Sequence, residues 1–225
     1  MKIAIAGGHG KIALLLARMI TEAGHDAVGI VRNPAHVQDV EATGASAIVA
    51  DLEQMASDEL AVRLRHVDAV VFAAGGGPNS GAERKLTVDR DGAIMLADAA
   101  DRASIRRYVM VSAMGADTYD PETAVVPARD DAAVFQVYLR AKAEADANIR
   151  ARGFQWTIVR PGALVDTPPQ GTVTVGGTVS RGSIPRADVA AIVLEAILSG
   201  SAIGRQFEVT SGGTPIPAAL AALTA

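Results

Sequence analysis

Lys2-Ile-Ala-Ile-Ala-Gly-Gly-His-Gly-Lys-Ile-Ala13 decides the fold of this chain. A short apolar strand, Ile3 to Ala6, runs into a turn built on Gly7, Gly8 and Gly10, and an amphipathic helix follows from Ile12 to Thr21. Glycines let the backbone bend sharply and bring a ligand close to bare amide N–H groups. The helix start then offers unpaired donors and a partial positive charge to a phosphate. The spacing from Gly7 through Gly10 to Ala13 is G-x-x-G-x-x-A, a shifted form of the dinucleotide fingerprint, with Ala13 as the small residue at the helix–strand contact. Glycine-rich turns are common, and this chain has 22 glycines, so a purely structural turn is the competing reading. The strand–turn–helix setting favours dinucleotide binding, with Gly7, Gly8, His9, Gly10, Lys11 and Ile12 on the phosphate side.

Outward from that motif the chain alternates strand and helix. The predicted strands are Lys2–Ala6, Ala27–Val31, Ser46–Ala50, Ala69–Ala73, Tyr108–Ser112, Thr157–Arg160 and Gln206–Thr210. They are apolar on both faces, as buried parallel strands are. Between them lie predicted helices at Ile12–Ala23, Ala35–Ala42, Met55–Leu64, Glu83–Ala103, Ala132–Arg152 and Arg186–Leu198. Such alternation predicts an α/β fold, a Rossmann-like doubly wound parallel sheet. No internal repeat or long linker divides residues 1–225, so one domain is expected. Segments 163–182 and 213–225 are expected to form a small C-terminal substrate lobe, with Thr172 to Val175 an edge strand or hairpin.

Composition narrows the function classes. Hydrophobic residues make up 49% and charged residues 20%, a globular balance. The net charge of −4 comes without a basic run, which argues against nucleic acid as a partner. Cysteine is absent, excluding disulfides, thiolate nucleophiles and thiolate metal sites. The four histidines show no metal-ligand spacing, so no metal is expected. Strand 1 begins at residue 2 and no apolar stretch reaches bilayer length, which predicts a cytoplasmic protein without a membrane partner.

Arg32 closes the second strand, about 22 residues beyond Gly10, where a dinucleotide presents its adenosine ribose. An acid there accepts the ribose hydroxyls and favours NAD(H); an arginine holds a 2′-phosphate and favours NADP(H). The cofactor expected is therefore NADP(H), against the plainer reading of a solvated strand-end arginine. Asp51 and Leu52 follow the third strand, where Asp51 either accepts from an adenine amino group or caps a turn. Ala73, Ala74 and Gly75 end the fourth strand with small residues against which a cofactor can lie flat.

Tyr138 and Lys142 stand four residues apart on a predicted helix, hence on one face. A neighbouring ammonium stabilises phenolate and draws a tyrosine down from its usual pKa near 10. The pair suits proton exchange with a carbonyl or alcohol while a hydride moves to or from nicotinamide. Ser112, at the end of the fifth strand, is the candidate for holding the substrate oxygen. A tyrosine and lysine that only pack and solvate are the alternative.

These stretches together resemble the short-chain dehydrogenase/reductase superfamily, in its extended and atypical branch of small bacterial NAD(P)-binding, epimerase-like proteins. The resemblance is carried by Ala6 to Ala13, Ala50-Asp51-Leu52, Phe72 to Gly75, Val111-Ser112-Ala113, Tyr138-x-x-x-Lys142, Thr157 to Gly162, Arg186 to Ala190 and Phe207 to Gly212. It spans nearly the whole chain. It implies a Ser112/Tyr138/Lys142 triad in which Tyr138 is general acid or base, Lys142 also binds the nicotinamide ribose, and Ser112 orients substrate. It also implies that Pro161-Gly162 passes beside the nicotinamide. Two departures stand out: Ala13 at the third fingerprint position, and a gap of 26 residues from Ser112 to Tyr138 that is wider than in compact reductases. The expected function is an NADP-dependent oxidoreductase acting on a small carbonyl or alcohol, as a monomer or homodimer. The rivals are an epimerase or dehydratase that recycles bound NAD(P), and a non-catalytic NADP(H) redox sensor.

Overall fold

The structure is a computed structural model that describes residues 1–77 and 80–223. Its first half alternates as the hydrophobic pattern dictates. Strands β1 (Lys2–Ala6), β2 (Asp26–Val31), β3 (Ser46–Val49) and β4 (Ala69–Phe72) are separated by helices α1 (Lys11–Glu22), α2 (Val37–Glu41) and α3 (Ser57–Arg63). A 3-10 turn, Pro34–His36, leads into α2. Helix α4 (Ala82–Arg84) continues through a π-helical segment, Lys85–Asp91, into α5 (Gly92–Arg102). Then follow β5 (Arg107–Val111), α6 (Asp131–Arg150) and β6 (Gln155–Pro161). All seven strands expected from the sequence are present, the seventh as β10 (Arg205–Ser211); their ends differ by one or two residues.

Across the sheet the order is β3-β2-β1-β4-β5-β6-β10, all parallel, and the chain reverses its direction of travel between β1 and β4. Crevices open at such a switch point, beyond the carboxyl ends of the strands. Alternate side chains of each strand feed two cores. Ile3, Ile5, Val71, Val109 and Val111 pack on the face covered by α1 and helix α7 (Arg186–Ser199). Ala4, Ala6, Phe72, Tyr108 and Met110 pack on the face covered by α3, α5 and α6. Helices on both faces explain why the strands lack polar alternation.

Beyond β6 the pattern was less legible. Strand β7 (Ala163–Val165) pairs in parallel with β9 (Ser183–Pro185) in a separate two-stranded sheet. Thr172 to Val175 belongs to β8 (Thr172–Gly176), which joins the main sheet antiparallel to β10, second from the edge. Strand β11 (Thr214–Pro215) closes that edge, and α8 (Ile216–Ala222) packs on α7 and β8. Thr224 and Ala225, the end of the 213–225 segment, lie outside the described residues. Among the described residues no helix is long and apolar enough to cross a membrane.

Close backbone contacts fix the turn after β1. A Cβ on Gly8 would sit 2.7 Å from the Cα of Gly29 in β2, and one on Gly7 would sit 2.6 Å from the Cα of Ala74. Gly7 also has φ +78, a left-handed conformation that side chains resist. Gly8→Ala is therefore expected to cost about 1–3 kcal/mol by overpacking. Gly213→Ala, with nothing within 4 Å of its added carbon, is expected to stay within about 0.5 kcal/mol of the parent. Urea unfolding midpoints of the two variants check the difference.

Candidate active site

The glycine turn before α1, the carboxyl ends of β2, β3 and β4, and Arg84 and Val88 line a cleft of about 440 Å³. Its lining includes Gly7, Gly8, His9, Gly10, Arg32, Asp51, Leu52, Ala73, Ala74 and Gly75, ten positions selected from sequence. The Gly8 N–H donates to Ile30 O (2.9 Å) and the Gly10 N–H to Gly7 O (2.8 Å), holding the turn tight. No side chain caps α1 and no acid occupies its first turn, so the helix start is not claimed by an anionic side chain. Lys11 and Ile12, also selected from sequence, are not in the cleft lining, and the Ile12 side chain is buried in the core. The Lys11 ammonium points elsewhere, to Asp166 (2.5 Å), which also pairs with Arg186 (2.7 Å).

Two features at the far end of the cleft were not selected from sequence. Arg32 Nη1 and Arg84 Nη1 converge on one oxygen of Glu53, at 3.2 and 3.0 Å. Thr87 donates to the other Glu53 oxygen at 2.6 Å. Arg84 enters from α4, across the cleft from β2, a pairing that only the tertiary fold creates. Beside them His9 stacks on His36, ring centroids 3.7 Å apart, and His9 Nε2 lies 2.7 Å from Asp39. Asp51 lines the cleft while its Oδ1 accepts the Glu53 N–H at 3.0 Å, so one oxygen closes a turn.

Helix α6 begins where Asp130 caps it by accepting the Ala133 N–H. One inward stripe of this helix carries Tyr138, Lys142 and Asp146, spaced by four. Lys142 is buried; its Nζ pairs with Asp89 (3.2 Å), donates to Val111 O (3.3 Å) and lies 5.8 Å from the centre of the Tyr138 ring. The second Asp89 oxygen accepts the Gly76 N–H at 2.9 Å, next to Gly75 of the cleft; Ser112, Tyr138 and Lys142 are not themselves in the cleft lining. Burial works against the Lys142 charge, but Asp89 and Tyr138 outweigh it and raise its pKa. For Tyr138 the balance corrects the sequence reading. Desolvation raises the phenol above its ordinary value, and Lys142 only opposes that rise, with Asp89 and Asp146 adding to it.

Ser112 is the second correction. Its hydroxyl donates to Asp146 Oδ2 at 2.8 Å in a buried network, so its proton is not presented to a substrate oxygen. Asp146 also receives Arg160 (2.8 Å), and Arg160 reaches on to Asp117 with two bonds, 2.6 and 2.9 Å. Burial raises the Asp146 carboxyl, with Arg160 and Ser112 opposing. Pro161 and Gly162 do not line the cleft. Pro161 O accepts the Met114 N–H, and a Cβ on Gly162 would meet Gly182 O at 2.4 Å, which explains that glycine by packing. Among the described residues no cluster of acids and histidines could hold a metal.

Residues 7–199 match the family model described as NAD(P)H-binding. This chain belongs to the NAD(P)H-binding family. It is 35% identical over 222 residues to an uncharacterized sugar epimerase of Bacillus subtilis, covering 98% of this chain and 99% of that one. A solved Bacillus halodurans structure, provisionally named an NAD-dependent epimerase/dehydratase, has TM-score 0.84 and 34% identity over 96% of this chain and 97% of its own. The oxidoreductase ylbE of Lactococcus lactis aligns over 100% of this chain and 97% of its own, with TM-score 0.83 and 26% identity.

The cleft suits the NAD(P)H-binding assignment on its own geometry. Side chains at Gly7 or Gly8 would collide with neighbouring backbone, the α1 N-terminus has no anionic cap, and guanidinium groups stand at the far end. The Ser112–Asp146–Arg160 network is scaffolding in this NAD(P)H-binding protein. Asp146→Ala leaves Arg160 and Ser112 without their buried acceptor and is expected to cost about 3–5 kcal/mol. Ser112→Ala loses one bond to a carboxylate and is expected to cost about 1–3 kcal/mol. Denaturant unfolding of both variants measures the two values.

Proposed function

We propose that this protein is an NADP(H)-dependent oxidoreductase that reduces a small carbonyl compound, or oxidises the matching alcohol, with Tyr138 as the proton donor or acceptor. The observation that carries the reading is Tyr138 beside the buried Lys142, itself tied through Asp89 to Gly76, the residue after Gly75 of the cleft. The cofactor would be held at its pyrophosphate by the amides of His9, Lys11 and Ile12, since those of Gly8 and Gly10 already donate to Ile30 O and Gly7 O, by Ala73 to Gly75 along its length, and by Asp51 and Leu52 near its adenine. When bound, the reduced nicotinamide supplies the hydride. As the carbonyl carbon receives it, the C=O π pair moves to oxygen, and that oxygen takes the Tyr138 proton. Lys142 holds its positive charge beside the phenol throughout, which lowers the cost of the tyrosinate. Tyr138→Phe removes only the hydroxyl; turnover with NADPH is expected to fall ~10²-fold or more while NADPH binding stays near the parent value. Equal turnover in both proteins overturns the assignment of Tyr138.

The preference for NADP(H) rests on Arg32, and Arg84 reinforces it. Both guanidinium groups already meet one carboxylate oxygen, so a 2′-phosphate that displaces Glu53 finds two charge-assisted partners. Arg32→Ala and Arg84→Ala should each weaken NADP(H) binding by about 1.5–3 kcal/mol and leave NAD(H) nearly unchanged. Calorimetric titration of both cofactors tests this, and equal NAD(H) and NADP(H) affinities in the parent protein refute it. A second reading, an epimerase that recycles its bound cofactor, draws on the name of the Bacillus subtilis relative. Net NADPH oxidation with product separates the two, since a recycling enzyme shows none.

A further inference from the structure

We infer that Lys85 is a second cation of the Tyr138 site, acting through Tyr138 to stabilise the tyrosinate left when its proton moves to the substrate oxygen. The inference rests on the proposal that Tyr138 is the proton donor, and it starts from a charge count. Three charged groups act on the ionisation of Tyr138, Lys142 and Asp146 from α6 and Asp89 from the π-helical segment, and a fourth, Lys85 of that segment, lies over its ring. Asp146 is paired with Arg160, which Asp117 also holds, and Asp89 with Lys142. Lys85 is left over. It is buried, and it donates to the carbonyl oxygen of Gly77. Among the described residues it has no carboxylate within ion-pair distance. Its ammonium lies 5.5 Å from the centre of the Tyr138 ring, closer than the 5.8 Å of Lys142.

A buried ammonium without its own counter-ion is costly, and such a group persists where it serves a charge that appears elsewhere. Lys142 is the largest charge acting on the phenol, and Asp89, bonded to it, opposes it in part. Lys85 is the cation beside Tyr138 that no carboxylate holds among the described residues. Burial lowers the ammonium of Lys85, with Asp89 opposing and Lys142 assisting, as befits a cation short of anionic company. When Tyr138 gives up its proton, the O–H bonding pair stays on the phenolic oxygen, and the new anion faces an ammonium that no carboxylate holds. No charge moves on Lys85, and water returns the proton afterwards. The π-helical winding brings Lys85 and Asp89 to the same buried side of their segment, a departure from α geometry typical of functional sites.

The test is an ultraviolet tyrosinate titration that needs neither substrate nor turnover. Subtracting the Tyr138→Phe curve from that of the parent isolates Tyr138 from Tyr108 and Tyr119. Lys85→Arg keeps a cation there at every pH of the titration and should hold the Tyr138 midpoint about 1–2 pH units below that of Lys85→Gln, the scale of one charge at this separation. The parent should fall between them, because its own ammonium titrates in the same range. Lys85→Met, neutral like the glutamine but without an amide, should match Lys85→Gln. Circular dichroism along each titration confirms that the protein stays folded. A midpoint that Lys85→Arg and Lys85→Gln share, while Lys142→Gln moves it, overturns the inference. Failure of the oxidoreductase reading looks different: no NADPH oxidation with any carbonyl, beside an intact response of the titration to Lys85.

Discussion

The close approach of Gly8 to Gly29 is the constraint on which the rest of the structure depends. With no Cβ on either residue, the turn after β1 settles onto β2, and Gly7 packs as tightly on Ala74 beyond β4. That contact sets the height at which α1 begins and so aims its free N–H groups along the sheet edge. It also sits at the point where strand order reverses, so the crevice opened by topology is the one the helix start faces. Substituting bulk there disturbs stability and ligand access together, because the same atoms serve both.

A second layer of constraint lies under α6. Buried charges are tolerated only when paired and hydrogen-bonded. The cluster obeys this in two linked groups, Ser112–Asp146–Arg160–Asp117 and Gly76–Asp89–Lys142. The first fastens α6 to the ends of β5 and β6. The second fastens it to the loop after β4. Tyr138, on the same helical stripe, inherits its position from both. The scaffold under the stripe is therefore ionic, and among the described residues Asp146 Oδ1 is left without a hydrogen-bond partner as the residual cost.

Much of this was legible from local pattern. The strand–glycine–helix run, the apolar strands, Arg32 at the end of β2 and the four-residue spacing of Tyr138 and Lys142 all express short-range rules of backbone freedom and helical periodicity. Ser112 shows where such rules stop. Its place at a strand end is readable, but the direction of its hydroxyl depends on Asp146, 34 residues later. The sign of the Tyr138 shift was equally out of reach, because burial outweighs a neighbouring ammonium only once the helix is packed.

By itself, the sequence determined the α/β class, the seven parallel strands, the glycine cradle and the pairing of a phenol with an ammonium on one helical face. Each follows from interactions between residues close in the chain, or from a periodicity that burial on two faces imposes. The tertiary structure alone decided that Arg84 joins Arg32 on Glu53, that Asp89 pairs with Lys142, and that Lys85 comes to Tyr138 with no carboxylate partner among the described residues. These are encounters between charges far apart in sequence. Their strength depends on distance and on exclusion from water, and neither exists until the chain has folded.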